Sequence, residues 1–187
     1  MLRIQIGTIG PQGIDVDERV EATALPLLKA VIADEPSLHF NGPVRAHLHL
    51  QPAGETIRID GTVTTRATVA CQRCLEPFTL AINAPVHVTA VPERPATDRG
   101  RADTEVELLA DEIDVITYSG DIVDIREEVA QQVIMALPFS SLCQKDCLGL
   151  CHQCGVNLNQ TACRCDPDPA SSPFAALRSL SFPKAPD

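Results

Sequence analysis

A chain of 187 residues with a formal net charge of −10 has room for one domain with an appended piece, or for two small domains. Its hydrophobic content of 44% supports a core, but 3% aromatic residues and no Trp leave Val, Ile, Leu and Ala to build it. The acidity argues against an autonomous nucleic-acid binder, because phosphate backbones are gripped by Lys and Arg; contact with RNA would need a local patch or a partner protein.

The segment Met1-Leu2-Arg3-Ile4-Gln5-Ile6-Gly7 has neither the apolar core nor the small-residue cleavage site of a signal peptide. No stretch approaches the roughly 18 apolar residues of a membrane span. A cytoplasmic setting with reduced thiols is therefore expected, with no membrane partner. Residues 14–34 place Val16, Val20, Ala24, Leu27, Leu28 and Val31 three or four apart, which predicts a helix kinked or broken at Pro26. From Pro43 the period becomes two. Val44, Ala46, Leu48 and Leu50 alternate with Arg45, His47 and His49, as in a half-buried strand whose histidines face water. Gln51-Pro52-Ala53-Gly54 is turn chemistry. Thr56–Asp60 and then Gly61–Ala70 resume the alternation, leading into Cys71, and Leu80 to Val88 form a further strand. Short turns between such strands predict an antiparallel meander.

Residues 92–104 are polar with two prolines and read as a mobile loop. Glu105–Ile116 is expected to give one or two short strands. Acid accumulates here: residues 91–142 hold twelve Asp or Glu against four Arg, whereas the remainder holds 13 against 11. Asp121–Leu137 predicts a helix with an apolar stripe from Ile122 through Val129 to Leu137, acids at its start and Pro138 at its end. Residues 173–180 predict a short amphipathic helix. The expected fold is α+β: an antiparallel meander or partly closed barrel, flanking helices and a zinc-knuckle-like C-terminal segment. Residues 1–138 form the core domain and residues 139–187 the cysteine-rich tail.

Six of the eight cysteines lie in the run from Cys143 to Cys165. Thiolates are soft ligands that hold Zn²⁺ in tetrahedral sets of four, and Gly155 after Cys151-His-Gln-Cys154 lets the backbone fold back over a metal. One ligand set is Cys151, Cys154, Cys163 and Cys165, whose intervening loop is long enough to wrap an ion. The alternative uses Cys143 and Cys147 with Cys151 and Cys154. His152 reads as a solvent-facing residue inside the knuckle. Cys71-Gln-Arg-Cys74 fits half of a second metal site, an unliganded turn or a dithiol redox motif. Its place between two strands and the nearby Pro77 disfavour the helix on which the redox motif usually depends. A structural Zn²⁺ would supply folding energy to a tail that lacks its own core. No nucleophile–base pair stands out, so no catalytic residue is assigned.

Four segments in order resemble the large ribosomal RNA subunit accumulation protein family (YceD-like). They are Cys71-Gln-Arg-Cys74-Leu75-Glu76-Pro77-Phe78, the acidic stretch and helix from Ile113 to Leu137-Pro138, the tail from Leu142-Cys143 to Cys165, and Pro173-Phe174-Ala175-Ala176-Leu177. The resemblance covers roughly residues 60–182. It implies a bacterial or plastid protein needed for 23S ribosomal RNA accumulation and large-subunit biogenesis. The expectation is a non-enzymatic factor that docks on the pre-50S particle, on 23S rRNA or on a basic ribosomal protein. Asp111, Glu112 and Asp114 are its candidate contacts to a basic partner, and Arg66, Arg73 and Arg164 its candidate contacts to RNA. The alternatives are a zinc-ribbon RNA-binding protein and a thiol–disulfide enzyme using Cys71 and Cys74.

Overall fold

The computed structural model describes residues 2–93 and 114–165. A long hairpin dominates it. Strands β4 (Val44–Ala53), β5 (Thr56–Ala70) and β6 (Pro77–Pro92) run antiparallel in the order of the sequence, and β2 (Ile14–Val20) adds to the free edge of β4. β7 (Val115–Tyr118) lies parallel to β6, and the two-residue β3 (His39–Phe40) pairs with β5. The sheet is open: its order runs from β2 through β4, β5 and β6 to β7 without closing on itself. The expected meander is therefore present, and the expected mixed α and β content with it, but not a barrel.

Alternation decides which face is buried. Val44, Ala46, Leu48 and Leu50 of β4, Ile57, Ile59, Val63 and Ala67 of β5, and Ile82, Ala84, Val86 and Val88 of β6 all point to one side and are buried. Helices α1 (Pro26–Asp34) and α2 (Arg126–Met135) complete that side, α2 packing on β5 and β6 and α1 against α2, through Leu28, Val129, Ala130 and Val133. Each such Val or Leu contributes roughly 1.5–3 kcal/mol by leaving water. Gly61 lets β4 cross close to the middle of β5, since a Cβ there would collide with the His47 carbonyl oxygen and the Leu48 Cα. β5 therefore runs unbroken through Gly61 for 15 residues, paired there with Leu48 on one side and Val86 on the other.

Two helix predictions change at their N-terminal ends. Residues 14–20 are strand β2, a 3₁₀ turn follows at Ala22–Ala24, and the helix begins only at Pro26. Val16 and Val20 are four apart and so satisfy both a helical and a two-residue period; pairing with β4 decides between them. Pro26 starts the helix because its missing N–H is no loss in the first turn. Likewise Ile122–Asp124 is strand β8, paired with β1 (Arg3–Gln5), and the second helix starts at Arg126. The Asp124 carboxylate receives the Arg126 backbone N–H at 3.2 Å and its guanidinium at 2.6 Å, and the acids of the first turn are Glu127 and Glu128. The predictions for residues 94–113 and for the terminal helix at 173–180 lie outside the described residues.

Candidate metal centres

The eight cysteines fall into two groups of four, and within each group the sulfurs lie within 4.8 Å of one another. Centre 1 joins Cys71 and Cys74, in the turn between β5 and β6, to Cys143 and Cys147, which follow α2. Centre 2 contains Cys151, Cys154, Cys163 and Cys165. The set Cys143, Cys147, Cys151 and Cys154 is not a group; its two pairs belong to different centres.

The same backbone device presents the first pair in each centre. The Leu75 N–H donates to the Cys71 carbonyl at 2.9 Å, and the Cys71 N–H donates to the Glu76 carbonyl at 2.9 Å. In centre 2 the Gly155 N–H donates to the Cys151 carbonyl at 2.9 Å, and the Cys151 N–H to the Val156 carbonyl at 2.8 Å. Both turns need a left-handed residue at the same place, met by Gly155 at φ +73° and by Leu75 at φ +60°. Gly is free to adopt this conformation, whereas Leu is strained in it.

The tail is fastened to the β5–β6 turn by polar contacts as well as by sulfur. The Gln72 N–H donates to the Ser141 carbonyl at 2.9 Å, and the Leu150 N–H donates to the Arg73 carbonyl at 3.2 Å. The Arg73 guanidinium donates to the Cys147 carbonyl at 2.9 Å. Phe78, Leu142 and Leu150 pack around the buried Cys71, Cys74 and Cys147. Asn159 links the centres. It sits in the loop of centre 2, yet its side-chain amide donates to the Cys147 sulfur at 3.3 Å, while its carbonyl oxygen accepts the Leu148 N–H at 2.9 Å.

The donor chemistry fits a divalent cation. Four sulfurs about 2.3 Å from a tetrahedral Zn²⁺ stand about 3.8 Å apart. Cys71 and Cys147 are separated by 3.8 Å, Cys74 and Cys143 by 3.7 Å, Cys154 and Cys163 by 3.6 Å, and Cys151 and Cys163 by 3.3 Å. All eight thiols are free of disulfides. In centre 1 the Cys74 backbone N–H, followed by those of Cys143 and Arg73, holds Cys71 down at about 6. Loss of solvent and the neighbouring Cys147, Cys74 and Cys71 thiols push Cys143 up to about 12. Centre 2 repeats the split: the Cys154 and Gln153 N–H groups lower Cys151 to about 6, and the Cys163 and Cys154 thiols raise Cys165 to about 12. Backbone N–H groups thus favour the thiolate at Cys71 and Cys151, while loss of solvent and the neighbouring thiols favour the protonated form at Cys143 and Cys165. A bound dication would favour the thiolate form of all four sulfurs. Both groups could hold a metal ion.

The sequence matches a protein-family model described as large ribosomal RNA subunit accumulation protein YceD, over residues 59–181. The chain belongs to this family. Both cysteine centres lie inside the matched region. An uncharacterized Mycobacterium tuberculosis protein is 33% identical over 112 residues, 59% of this chain and 49% of that protein. The large ribosomal RNA subunit accumulation protein YCED homolog 1, chloroplastic, of Zea mays is 26% identical over 170 residues, 81% of this chain and 58% of the maize protein. Its Arabidopsis thaliana counterpart is 25% identical over 190 residues, 92% of this chain and 58% of the relative. The chain thus spans about half to three-fifths of the length of these relatives. No solved structure matches it.

The remaining candidate residues of this YceD-family chain are spread over the surface. Arg66 and Arg164 are exposed, and His152 points outward in the second knuckle without belonging to either group. Asp114 is exposed at the entrance to β7, where its carbonyl accepts the Thr89 N–H at 2.9 Å. The β5–β6 register pairs Arg58 with Thr89 and Ala70 with Pro77, so Asp114 lies at the end of the hairpin opposite the cysteines. Asp111 and Glu112 lie outside the described residues. Sequence spacing suggested neither Asn159 nor the fastening role of Arg73. The available signal was arithmetic: eight cysteines make two sets of four only if the distant Cys71/Cys74 pair borrows a pair from the tail.

Proposed function

We propose that this protein is a non-enzymatic factor that supports 23S ribosomal RNA accumulation and large-subunit biogenesis. It docks on the pre-50S particle, either on 23S rRNA or on a basic ribosomal protein. The observation that carries this reading is the YceD family match over residues 59–181, and the printed names of the plant relatives support it. The acidic segment that includes Asp111, Glu112 and Asp114 is the docking face for a basic partner. Of the three arginines expected to touch RNA, Arg66 and Arg164 remain the candidates, since Arg73 is engaged with the Cys147 carbonyl.

Both centres hold structural Zn²⁺: Cys71, Cys74, Cys143 and Cys147 in one, and Cys151, Cys154, Cys163 and Cys165 in the other. The eight-thiolate donor set and the tetrahedral spacing support zinc over harder, oxygen-seeking cations. Centre 1 then joins the core of residues 1–138 to the tail of residues 139–187. Metal analysis of the purified full-length chain should return two zinc ions per molecule; a single ion would remove one of the centres. The enclosure of Cys71, which is 0% exposed, weighs against a thiol–disulfide enzyme, whose attacking sulfur must be reachable. The protein works in the cytoplasm, beside ribosomes; among the described residues no helix is long and apolar enough to cross a membrane.

Depleting the protein and measuring the ratio of 23S to 16S rRNA, with precursor profiles, tests this reading. A selective fall in 23S is expected. An unchanged ratio would sink the accumulation role and return the thiol-enzyme alternative to contention.

A further inference from the structure

Among the described residues the helices cover one side of the sheet and leave the other open, and the charges on the open side follow a pattern that breaks at one place. On the β2–β4 ladder Asp15 stands opposite His49 and Asp17 opposite His47, each imidazole Nδ1 lying 2.7 Å from a carboxylate oxygen. On β5, Asp60 holds both Arg58 at 2.7 Å and His87 at 2.9 Å. One step further along the same ladder, Arg19 stands directly opposite Arg45. Like charges placed opposite each other across two strands destabilise the pair. Arg45 in turn pairs with Thr64, two residues before Arg66 on the same face of β5. Among the described residues, none of Arg19, Arg45 and Arg66 has an ion pair or a side-chain hydrogen bond. Among the described residues, three neighbouring arginines of an acidic chain are left without a carboxylate.

The surface between them is concave. Arg45 and Arg66 border a depression of about 470 Å³, together with Asn41, Thr64 and Asn83. Arg19 and Arg45 border a second one of about 320 Å³ with Thr62, where Glu18 and the Asp17–His47 pair also line the edge. Guanidinium, hydroxyl and amide groups are those that proteins use to hold phosphate oxygens. Two other occupants fit less well. Unpaired bases would need aromatic platforms, and the outward positions of β2, β4, β5 and β6 carry no Phe, Tyr or Trp along this strip, only His47, which is held by Asp17. A protein partner would need an apolar or aromatic anchor at the centre of its contact, and the strip offers none.

We propose that Arg19, Arg45 and Arg66 form a strip that binds the sugar–phosphate backbone of folded ribosomal RNA, reading its shape and not its bases. The proposal rests on the rRNA reading above and names the surface that makes the contact. The rest of the molecule repels RNA, so the strip binds weakly and with a steep salt dependence. It orients the protein on a particle to which other contacts also hold it.

Fluorescence anisotropy tests the strip, using a labelled hairpin from 23S rRNA and the zinc-loaded full-length chain between about 50 and 200 mM salt. Three neutralised phosphates predict a log–log slope of roughly −2 to −3. Arg45→Gln should reduce that slope by about 1, and changing all three arginines to Gln should weaken binding roughly tenfold or more at the low-salt end. Lys29→Gln, the same charge loss on helix α1, should leave the slope unchanged. No measurable binding by the wild-type chain would overturn the proposal, as would a triple variant that behaves like Lys29→Gln. So would a triple variant that loses pre-50S association although the wild type ignores the hairpin, an outcome that assigns the strip to an acidic protein. Complementation separates the two levels. If depletion lowers 23S rRNA and the triple variant restores it fully, the strip is not the contact while the accumulation role stands. If depletion leaves 23S unchanged, the role itself fails.

Discussion

At centre 1 three of the four cysteines are buried, and the two pairs come from distant parts of the chain: Cys74 and Cys143 are 69 positions apart. At centre 2 only Cys151 is buried, Cys154 and Cys165 are exposed, and the facing pair Cys154 and Cys163 are nine positions apart. The knuckle turn is the same in both, so the difference lies in what each cross-link closes. The entropy of closing a loop grows with the logarithm of its length. Restraining the longer loop removes about 2 kcal/mol more freedom from the unfolded chain than restraining the shorter one. Centre 1 also sits on the end of the β5–β6 hairpin, the part of the sheet whose register is most extensively fixed, whereas centre 2 touches mainly its own loop. One centre fastens the tail to the core; the other shapes the tail.

The largest expected effect is therefore loss of centre 1. Cys74→Ser should lower the stability of the zinc-loaded protein by at least about 2 kcal/mol more than Cys163→Ser. It should also open the chain to protease after residue 138. Limited proteolysis and thermal melts of the two variants side by side provide the check, and equal losses would erase the distinction between the centres. Metal removal should follow the same order. A chelator added to the wild type should strip centre 2 first, because its sulfurs are exposed, and centre 1 in a slower second phase. Release in a single phase would mean that the centres open together.

Asn159 sharpens the comparison because it belongs to the loop of one centre and hydrogen-bonds a sulfur of the other. Hydrogen bonds to metal ligands typically change metal affinity by about ten- to a hundredfold. Asn159→Ala should reduce the zinc affinity of centre 1 by about tenfold, although the residue lies between the cysteine pairs of centre 2. Competition titrations on the full-length chain, with Cys163→Ser as the centre 2 control, would locate the loss. A decrease confined to centre 2 would show that the amide serves its own loop and not Cys147.

What the sequence made legible followed from periodicity and spacing. The β4–β5–β6 meander was readable because its alternation is long and its turns are short. The Cys151–Cys154 turn was readable as a knuckle because Gly155 follows it among further cysteines, whereas Cys71–Cys74 alone left half a metal site, an unliganded turn and a redox motif open. Val16 and Val20 were ambiguous because a spacing of four suits a helix face and a strand face alike, and only the β4 edge beside them resolves it. Ile122 and Val123 read as the start of a helix because nothing local reveals that Arg3–Gln5 will pair with them. The count of eight hinted that Cys71 and Cys74 take a pair from the tail, but which pair could not be read: it depends on the path of α2 back to the hairpin end, a tertiary fact with no local signature. The open face was half legible. Alternation placed Arg45 and the histidines outward, but finding Arg19 opposite Arg45 needed the register.

The smallest expected effect isolates the turn itself. Leu75 and Gly155 occupy the same position in the two knuckles, make the same N–H to carbonyl bond to the first cysteine, and both have left-handed backbones. Placing a side chain in that conformation costs roughly 1–2 kcal/mol. Gly155→Ala should therefore destabilise centre 2 by about 1 kcal/mol, and Leu75→Gly should stabilise centre 1, less whatever freedom the new Gly gives the unfolded chain. The Leu75 side chain is 65% exposed, so removing it sacrifices little packing that could hide the gain. Chemical denaturation of the zinc-loaded variants measures both changes. If Leu75→Gly instead destabilises the protein, the side chain packs on the tail more than its exposure indicates. If it stabilises the protein yet weakens association with pre-50S particles, the strained leucine belongs to the docking surface, and centre 1 carries a contact that centre 2, with glycine at the same place, does not.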